Sequence, residues 1–244
     1  MTTSVVHARP LQIAELSRGL RLPLPPIEDP HLEILGEGLV RAFHDILNSA
    51  PSAVHYGSEA EISALLENRL NALIEDDPFW GQLVLCVARG KESLSFDGAH
   101  LEKRPDLSIY LTNRSRSFPV IVEAKIIDSP TGKTAALYCQ QGLNRFLIGD
   151  YGWGGQEAFM IAYVRDGSDI ASGLAPRLAA KGGAAPPFAT EADPVAVGFG
   201  AADCARSKHG RSFTYSHQAP PAHLPGSIAL LHIWVNAAIP PAAS

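Results

Sequence analysis

Cysteine is scarce in this sequence. Cys86, Cys139 and Cys204 are scattered, match no metal-ligand spacing and make an odd count, which excludes a disulfide framework and a zinc site. Long hydrophobic runs are missing too. No apolar stretch approaches the roughly 20 residues that cross a bilayer, and "MTTSVVHARPLQ" lacks the basic-then-apolar pattern of a secretory leader. A soluble, cytoplasmic protein is the expectation. There is no surplus of positive charge: 20 Lys and Arg stand against 25 Asp and Glu, for a net charge of -5. A protein that coats nucleic acid by charge alone is thereby disfavoured, but an enzyme whose carboxylates hold a cation is not. "SPTGKTAA" and "AKGGAAPP" fall short of the full phosphate-loop pattern, so nucleotide binding there is rejected. No serine or cysteine sits in a nucleophile setting. His217 and His232 therefore read as structural, with a phosphate contact as the alternative for His217.

What is present is an apolar fraction of 46%, enough for a well-filled core in a chain of 244 residues. The prolines of "RLPLPPIEDP" forbid a regular helix and predict an extended arm. Helical spacing predicts a helix over His31–Leu47 despite two glycines. "SAPSAVHYG" then reads as punctuation. Ser58 starts a second helix as N-cap, with Glu61 as its capping-box partner, and Pro78 closes that region. Strands are predicted at "QLVLCVARG", "DLSIYL", "FPVIVEAKII" and "EAFMIAYVRD", with a helix at "KTAALYCQQGLNRFL" between the last two. A Gly/Ala/Pro-rich stretch near 172–200 reads as partly helical at "IASGLAPRLAAKGG" and otherwise as loop. "SFTYSHQ" and "SIALLHIWVN" are two late candidate strands, and "AAIPPAAS" a loose tail. The expected organisation is an arm and helix over 1–55 packed on a single domain over 56–240. The expected fold class is α+β, a central mixed sheet flanked by helices.

The chemistry concentrates in "LEKRPDLSIYLTNRSRSFPVIVEAKIID", where Asp106, Glu123 and Lys125 fall on two adjacent segments that read as hairpin arms. Charged groups are rarely buried unless they pair or hold a metal. Residues two apart on a strand share a face, so Glu123 and Lys125 project together while Ala124 turns away. Mg²⁺ takes oxygen ligands and keeps several waters, so Asp106 and Glu123 suffice to hold it, with Mn²⁺ as a substitute. Phosphodiester hydrolysis needs an acidified water and compensation of phosphate charge, and Lys125 is placed to assist either. The segment itself holds Lys103, Arg104, Arg114 and Arg116, Lys133 follows it, and a later loop carries Arg206, Lys208 and Arg211. Solvated surface is the plainer reading of each.

Pro105-Asp106 followed, after a hairpin, by an apolar run and Glu123-Ala124-Lys125 resembles the PD-(D/E)xK nuclease superfamily, over roughly Ser58 to Val164. The resemblance implies a restriction-endonuclease-like fold and a Mg²⁺-dependent phosphodiesterase acting on DNA more than RNA. It implies a setting in restriction, repair or phage defence, as a homodimer or with a partner subunit. Relatives often add a carboxylate from the upstream helix. Here Glu59, near the edge of the face marked by Ile62, Leu66, Leu70 and Leu73, is the candidate third ligand, though it equally suits the positive helix N-terminus. In the downstream helix Gln141 is the candidate substrate contact, with Tyr138 and Arg145 one turn to either side; ordinary helix surface is the competing reading. The run "GLNRFLIGDYGWGG" reads as a loop over the substrate or as a packed corner. A nuclease-fold subunit that binds nucleic acid or assembles a complex without cutting is the alternative function.

Overall fold

The computed structural model of the chain describes residues 9–91, 95–97, 104–179, 185–215, 218 and 224–240. Its frame is a mixed α+β arrangement: seven strands in the order β1-β2-β3-β4-β7-β6-β5 with helices against both faces. The strands are β1 (Val84–Arg89), β2 (Leu107–Leu111), β3 (Val120–Ile127), β4 (Glu157–Val164), β5 (Thr190–Ala196), β6 (Asp203–His209) and β7 (Ile228–Asn236). The centre, β3-β4-β7, is parallel, and both flanks are antiparallel.

Alternation along β3 divides the core. Val120, Val122, Ala124 and Ile126 face one layer, built on α2 (Asp29–Ser49) and α4 (Glu59–Asp76). Ile121 and Ile127 face the other, where α6 (Ala135–Leu137), a π-helical turn (Tyr138–Leu143) and α7 (Asn144–Leu147) run end to end. The arm at 20–28 has no regular structure and is stapled to the body. Leu24 N–H donates to the Gly154 carbonyl at 2.8 Å, and Ile27 N–H to the Glu157 carboxylate at 3.1 Å.

The two glycines in α2 have a packing reason. A Cβ at Gly36 would meet the Phe199 ring at 2.6 Å, and one at Gly38 would enter the ring of the fully buried Trp80. The capping box of α4 is present: Glu61 N–H donates to Ser58 Oγ at 3.3 Å, and Ser58 N–H to Glu61 Oε2 at 2.7 Å.

Several expected elements differ. "SAPSAVHYG" contains a short helix, α3 (Pro51–Tyr56), and Pro78 opens another, α5 (Pro78–Leu83). In both, proline takes a first-turn position where no N–H is needed. The helix α1 (Arg9–Leu16) precedes the proline-rich arm. The stretch near 172–200 holds the helix α8 (Ala175–Leu178) and also β5, an edge strand that carries Pro194 and two register shifts. The late partner of β7 is β6, not "SFTYSHQ": residues 212–215 are without strand structure, and His217 lies outside the described residues, as does Lys103. Arg206 and Lys208 thus sit on a strand rather than in a loop. β6 escaped the hydrophobic pattern because its buried Ser207 and His209 are polar and satisfied by hydrogen bonds. Among the described residues no helix is long and apolar enough to cross a membrane.

Gly38→Ala tests the notch. Helix propensity alone favours alanine by about 1 kcal/mol, whereas overpacking a buried ring costs about 1–3 kcal/mol. Urea unfolding is expected to show a net loss of stability; a gain would mean that Trp80 moves aside at no cost.

Candidate active site

β2 has five residues and β3 eight, and their pairing ends at Leu107 opposite Val122. Past that point, among the described residues, no strand covers β3 on the β2 side. The N–H groups of Ala124 and Ile126 therefore need other acceptors, and carboxylates provide them. Asp106 Oδ2 accepts from Ala124 N–H at 2.7 Å, and Glu59 Oε1, from the first turn of α4, accepts from Ile126 N–H at 2.9 Å. Two side chains remote in sequence are thus fixed at the same stretch of open sheet edge.

Lys125 gathers this set. Its Nζ donates to Glu123 Oε1 and to the Ala124 carbonyl, each at 2.7 Å, and lies 3.7 Å from Glu59 Oε2 and 4.0 Å from Asp106 Oδ2. Four oxygens from four residues converge on one cationic atom. Glu123 is only 1% exposed, and Arg145 Nη1 donates to its Oε1 from α7 at 3.1 Å. The same Arg145 nitrogen donates to Tyr151 Oη at 2.9 Å, and that hydroxyl donates to the Arg104 carbonyl at 2.9 Å.

Three carboxylates face two cations here, and the imbalance shows in their proton affinities. Burial, reinforced by the charge of Asp106, pushes Glu123 up to about 7 against the pull of Lys125 and Arg145. Burial also raises Asp106, although Lys125 opposes the shift. Burial alone would lower Lys125, but Glu123, Asp106 and Glu59 together carry it above its ordinary value. Glu123 Oε2 is buried and accepts from no fixed donor, and the Asp106 and Glu123 carboxyl groups lie close enough to interact directly. Two carboxyl oxygens can face each other in a dry site only across a proton or a cation.

That observation tests the fit to a divalent ion. Asp106 and Glu123 supply an oxygen-only donor pair with an orphaned buried oxygen, a donor type that suits a hydrated Mg²⁺. Among the described residues no group of three or more His, Cys, Asp or Glu is arranged to hold a metal. Glu59, with one oxygen on Ile126 and the other toward Lys125, is better placed to position the ammonium than to serve as third ligand.

The proposed substrate contacts divide. Arg145 joins the cluster, while Gln141 is exposed on the π turn without a partner among the described residues. Tyr138 does not reach the site. It is buried at 1% exposure and turned to the core, with its hydroxyl 2.8 Å from His232 Nδ1. The π turn accounts for the difference, since its wider winding shifts the helical phase between 138 and 145. Gly142 lets that turn lie on the strands: a Cβ there would meet Met160 Cε at 2.6 Å and Glu123 Cγ at 3.6 Å. Tyr151, in "GLNRFLIGDYGWGG", leaves no signal in the sequence because its ring is buried and only its hydroxyl reaches the cluster.

No protein-family model, curated protein or solved structure matches this chain.

The Glu123 shift predicts a pH dependence of the metal-free protein. The folded state holds this proton up to about pH 7 and the unfolded chain releases it near 4.5, so the folded state binds more protons in between. Stability is then expected to fall as pH rises through that window, by on the order of 3 kcal/mol in total. Urea unfolding in EDTA from pH 5 to 8 measures it. Glu123→Gln should flatten the slope; an unchanged slope would place the proton elsewhere.

Proposed function

We propose that this chain is a divalent-metal-dependent phosphodiesterase acting on nucleic acid, DNA more than RNA, built on a restriction-endonuclease-like core of the PD-(D/E)xK type. The observation that carries the reading is the orphaned, buried Glu123 Oε2 in a residue whose carboxyl group interacts with that of Asp106, beside an ammonium already surrounded by oxygens. A purely structural cluster has little use for a buried carboxylate whose second oxygen is satisfied only by a proton or a cation.

In this reading Asp106 and Glu123 hold the ion, which supplies positive charge for the phosphate and acidity for the attacking water. Lys125 stands next to both ligands and is held there by Glu59, so its ammonium orients the water or offsets charge that grows on the phosphate. Arg145, half-buried and clamped by Glu123 and Tyr151, presents the rest of its guanidinium as a second anchor for a phosphate oxygen. Tyr151 acts on Arg145 as a positioning residue.

A second reading is favoured by one feature: Asp106 and Glu59 each cap a backbone N–H of β3, a use they keep without any catalysis. A nuclease-fold subunit that no longer cuts is consistent with that. Isosteric amides separate the two, because Asp106→Asn and Glu59→Gln keep an oxygen acceptor while removing the charge.

The wild-type protein is expected to cleave at least one of plasmid, linear duplex, single-stranded DNA or RNA with Mg²⁺ or Mn²⁺, and to stop in EDTA. Lys125→Ala and Asp106→Asn should each lower the rate by about 10²–10⁴-fold with unaltered circular dichroism. Failure of the wild type on every substrate with either metal would leave the silent subunit as the answer.

A further inference from the structure

A second concavity adjoins the cluster on the same face of the sheet. Ser108 and Ile121 are register partners on β2 and β3, and Ile121, Glu123 and Lys125 share one strand face. Two residues of strand separate Ile121 from Glu123, about 7 Å. Ser108, Tyr110 and Ile121 form the floor of a cavity of about 410 Å³ whose walls include Phe118, Trp153 and the Gly152–Gly155 turn. That volume lies within the roughly 300–1,000 Å³ typical of small-molecule sites. Gly152, at φ +58°, turns the chain directly after Tyr151, so the wall is continuous with the residue that positions Arg145.

Two cations line this cavity. Lys91 Nζ lies 4.8 Å from the centroid of the Tyr110 ring, and Arg116 is exposed at the rim. Neither forms an ion pair among the described residues. Aromatic side chains beside cations that pair with no carboxylate are the chemistry that takes a base and its phosphate. A paired base inside a duplex cannot enter such a depression without leaving its stack.

We propose that this cavity binds one unpaired nucleotide of the substrate strand, next to the phosphate held at Asp106, Glu123 and Lys125. Its base lies against Tyr110, Phe118 and Trp153, and its phosphate meets Lys91 and Arg116. The ligand's identity rests on the phosphodiesterase reading. The proposal extends that reading to substrate class: single-stranded segments, flaps or ends rather than uninterrupted duplex.

Binding without turnover tests it. Anisotropy of a fluorescein-labelled deoxythymidine octamer and of a blunt duplex is measured in EDTA. Wild type is compared with the double variant Lys91→Glu, Arg116→Glu and with a charge-matched control, Arg177→Glu, Lys208→Glu, whose sites are exposed and remote from the cavity in the fold. The expected result is tighter binding of the octamer than of the duplex. The cavity variant should weaken octamer binding at least tenfold and make its salt dependence shallower by about 1.4 in log–log slope, two phosphate contacts' worth. The control should change either by less than twofold. Equal losses in both variants, no loss in the cavity variant, or no octamer binding by wild type would each overturn the proposal. Cleavage by wild type against Lys125→Ala, run in parallel with Mg²⁺, reports on the phosphodiesterase reading separately. Cavity-dependent binding without any cleavage would retain the pocket and reject the chemistry, and cleavage untouched by the cavity variant would do the reverse.

Discussion

The unpaired edge of β3 beyond Val122 is the constraint on which the cluster depends. A backbone N–H in a half-buried setting must be satisfied, and β2 is too short to satisfy those of Ala124 and Ile126. Asp106 and Glu59 fill the vacancy, and in doing so they carry negative charge to the side of the strand from which Glu123 and Lys125 project. The cluster is thus a consequence of strand length. Had β2 continued in register, Asp106 would have stood opposite Glu123 inside the ladder, with no edge to cap.

This explains what was legible in the sequence. The apolar run of β3 with Glu123 and Lys125 two apart fixes their shared face without any tertiary knowledge, because strand geometry alone dictates it. Ser58 with Glu61 marks the start of α4 for the same local reason, and that start sets Glu59 at the edge of the buried face. Tyr138 departs from the ideal helical phase because residues 138–143 form a π turn, and no composition signal announces such a turn. β5 and β6 were missed because burial there is achieved by hydrogen bonding and edge position, which leave no alternation of apolar residues. Tyr151 contributes only a hydroxyl at the end of a buried ring, and a pattern of hydrophobicity sees the ring alone.

Tyr138 has a different occupation that follows from donor and acceptor counting. His209 Nδ1 is 3.0 Å from the Phe188 carbonyl and so must donate to it. With both imidazoles neutral, His209 Nε2 then accepts from Ser207 Oγ at 2.7 Å, and Ser207 accepts from His232 Nε2 at 2.8 Å. His232 Nδ1 is left to accept from Tyr138 at 2.8 Å, sharing that proton with the Met160 carbonyl at 3.2 Å. Neutrality is what burial enforces: it lowers His209, and it lowers His232, with help from His209, to about 3. The result is a one-directional polar spine through the core that joins the π turn to β7 and β6. It pins the phase of the turn from behind, while Gly142 sets its distance from the strands in front.

The phase of that turn in turn decides the charge count at the site. With Tyr138 tied to His232, the chain emerges so that Arg145 meets Glu123, and the cluster holds two cations instead of one. Even so, one carboxylate lacks a counter-charge. Glu123 answers in the metal-free protein by binding its proton far more tightly than an ordinary glutamate. A second lysine or arginine would have removed the imbalance and closed the site electrostatically, with no residual affinity for a further cation. Instead Glu123 keeps a buried carboxyl oxygen that no fixed donor satisfies, close to a second carboxyl group. The proton that Glu123 holds and any cation that would take its place therefore answer the same electrostatic deficit.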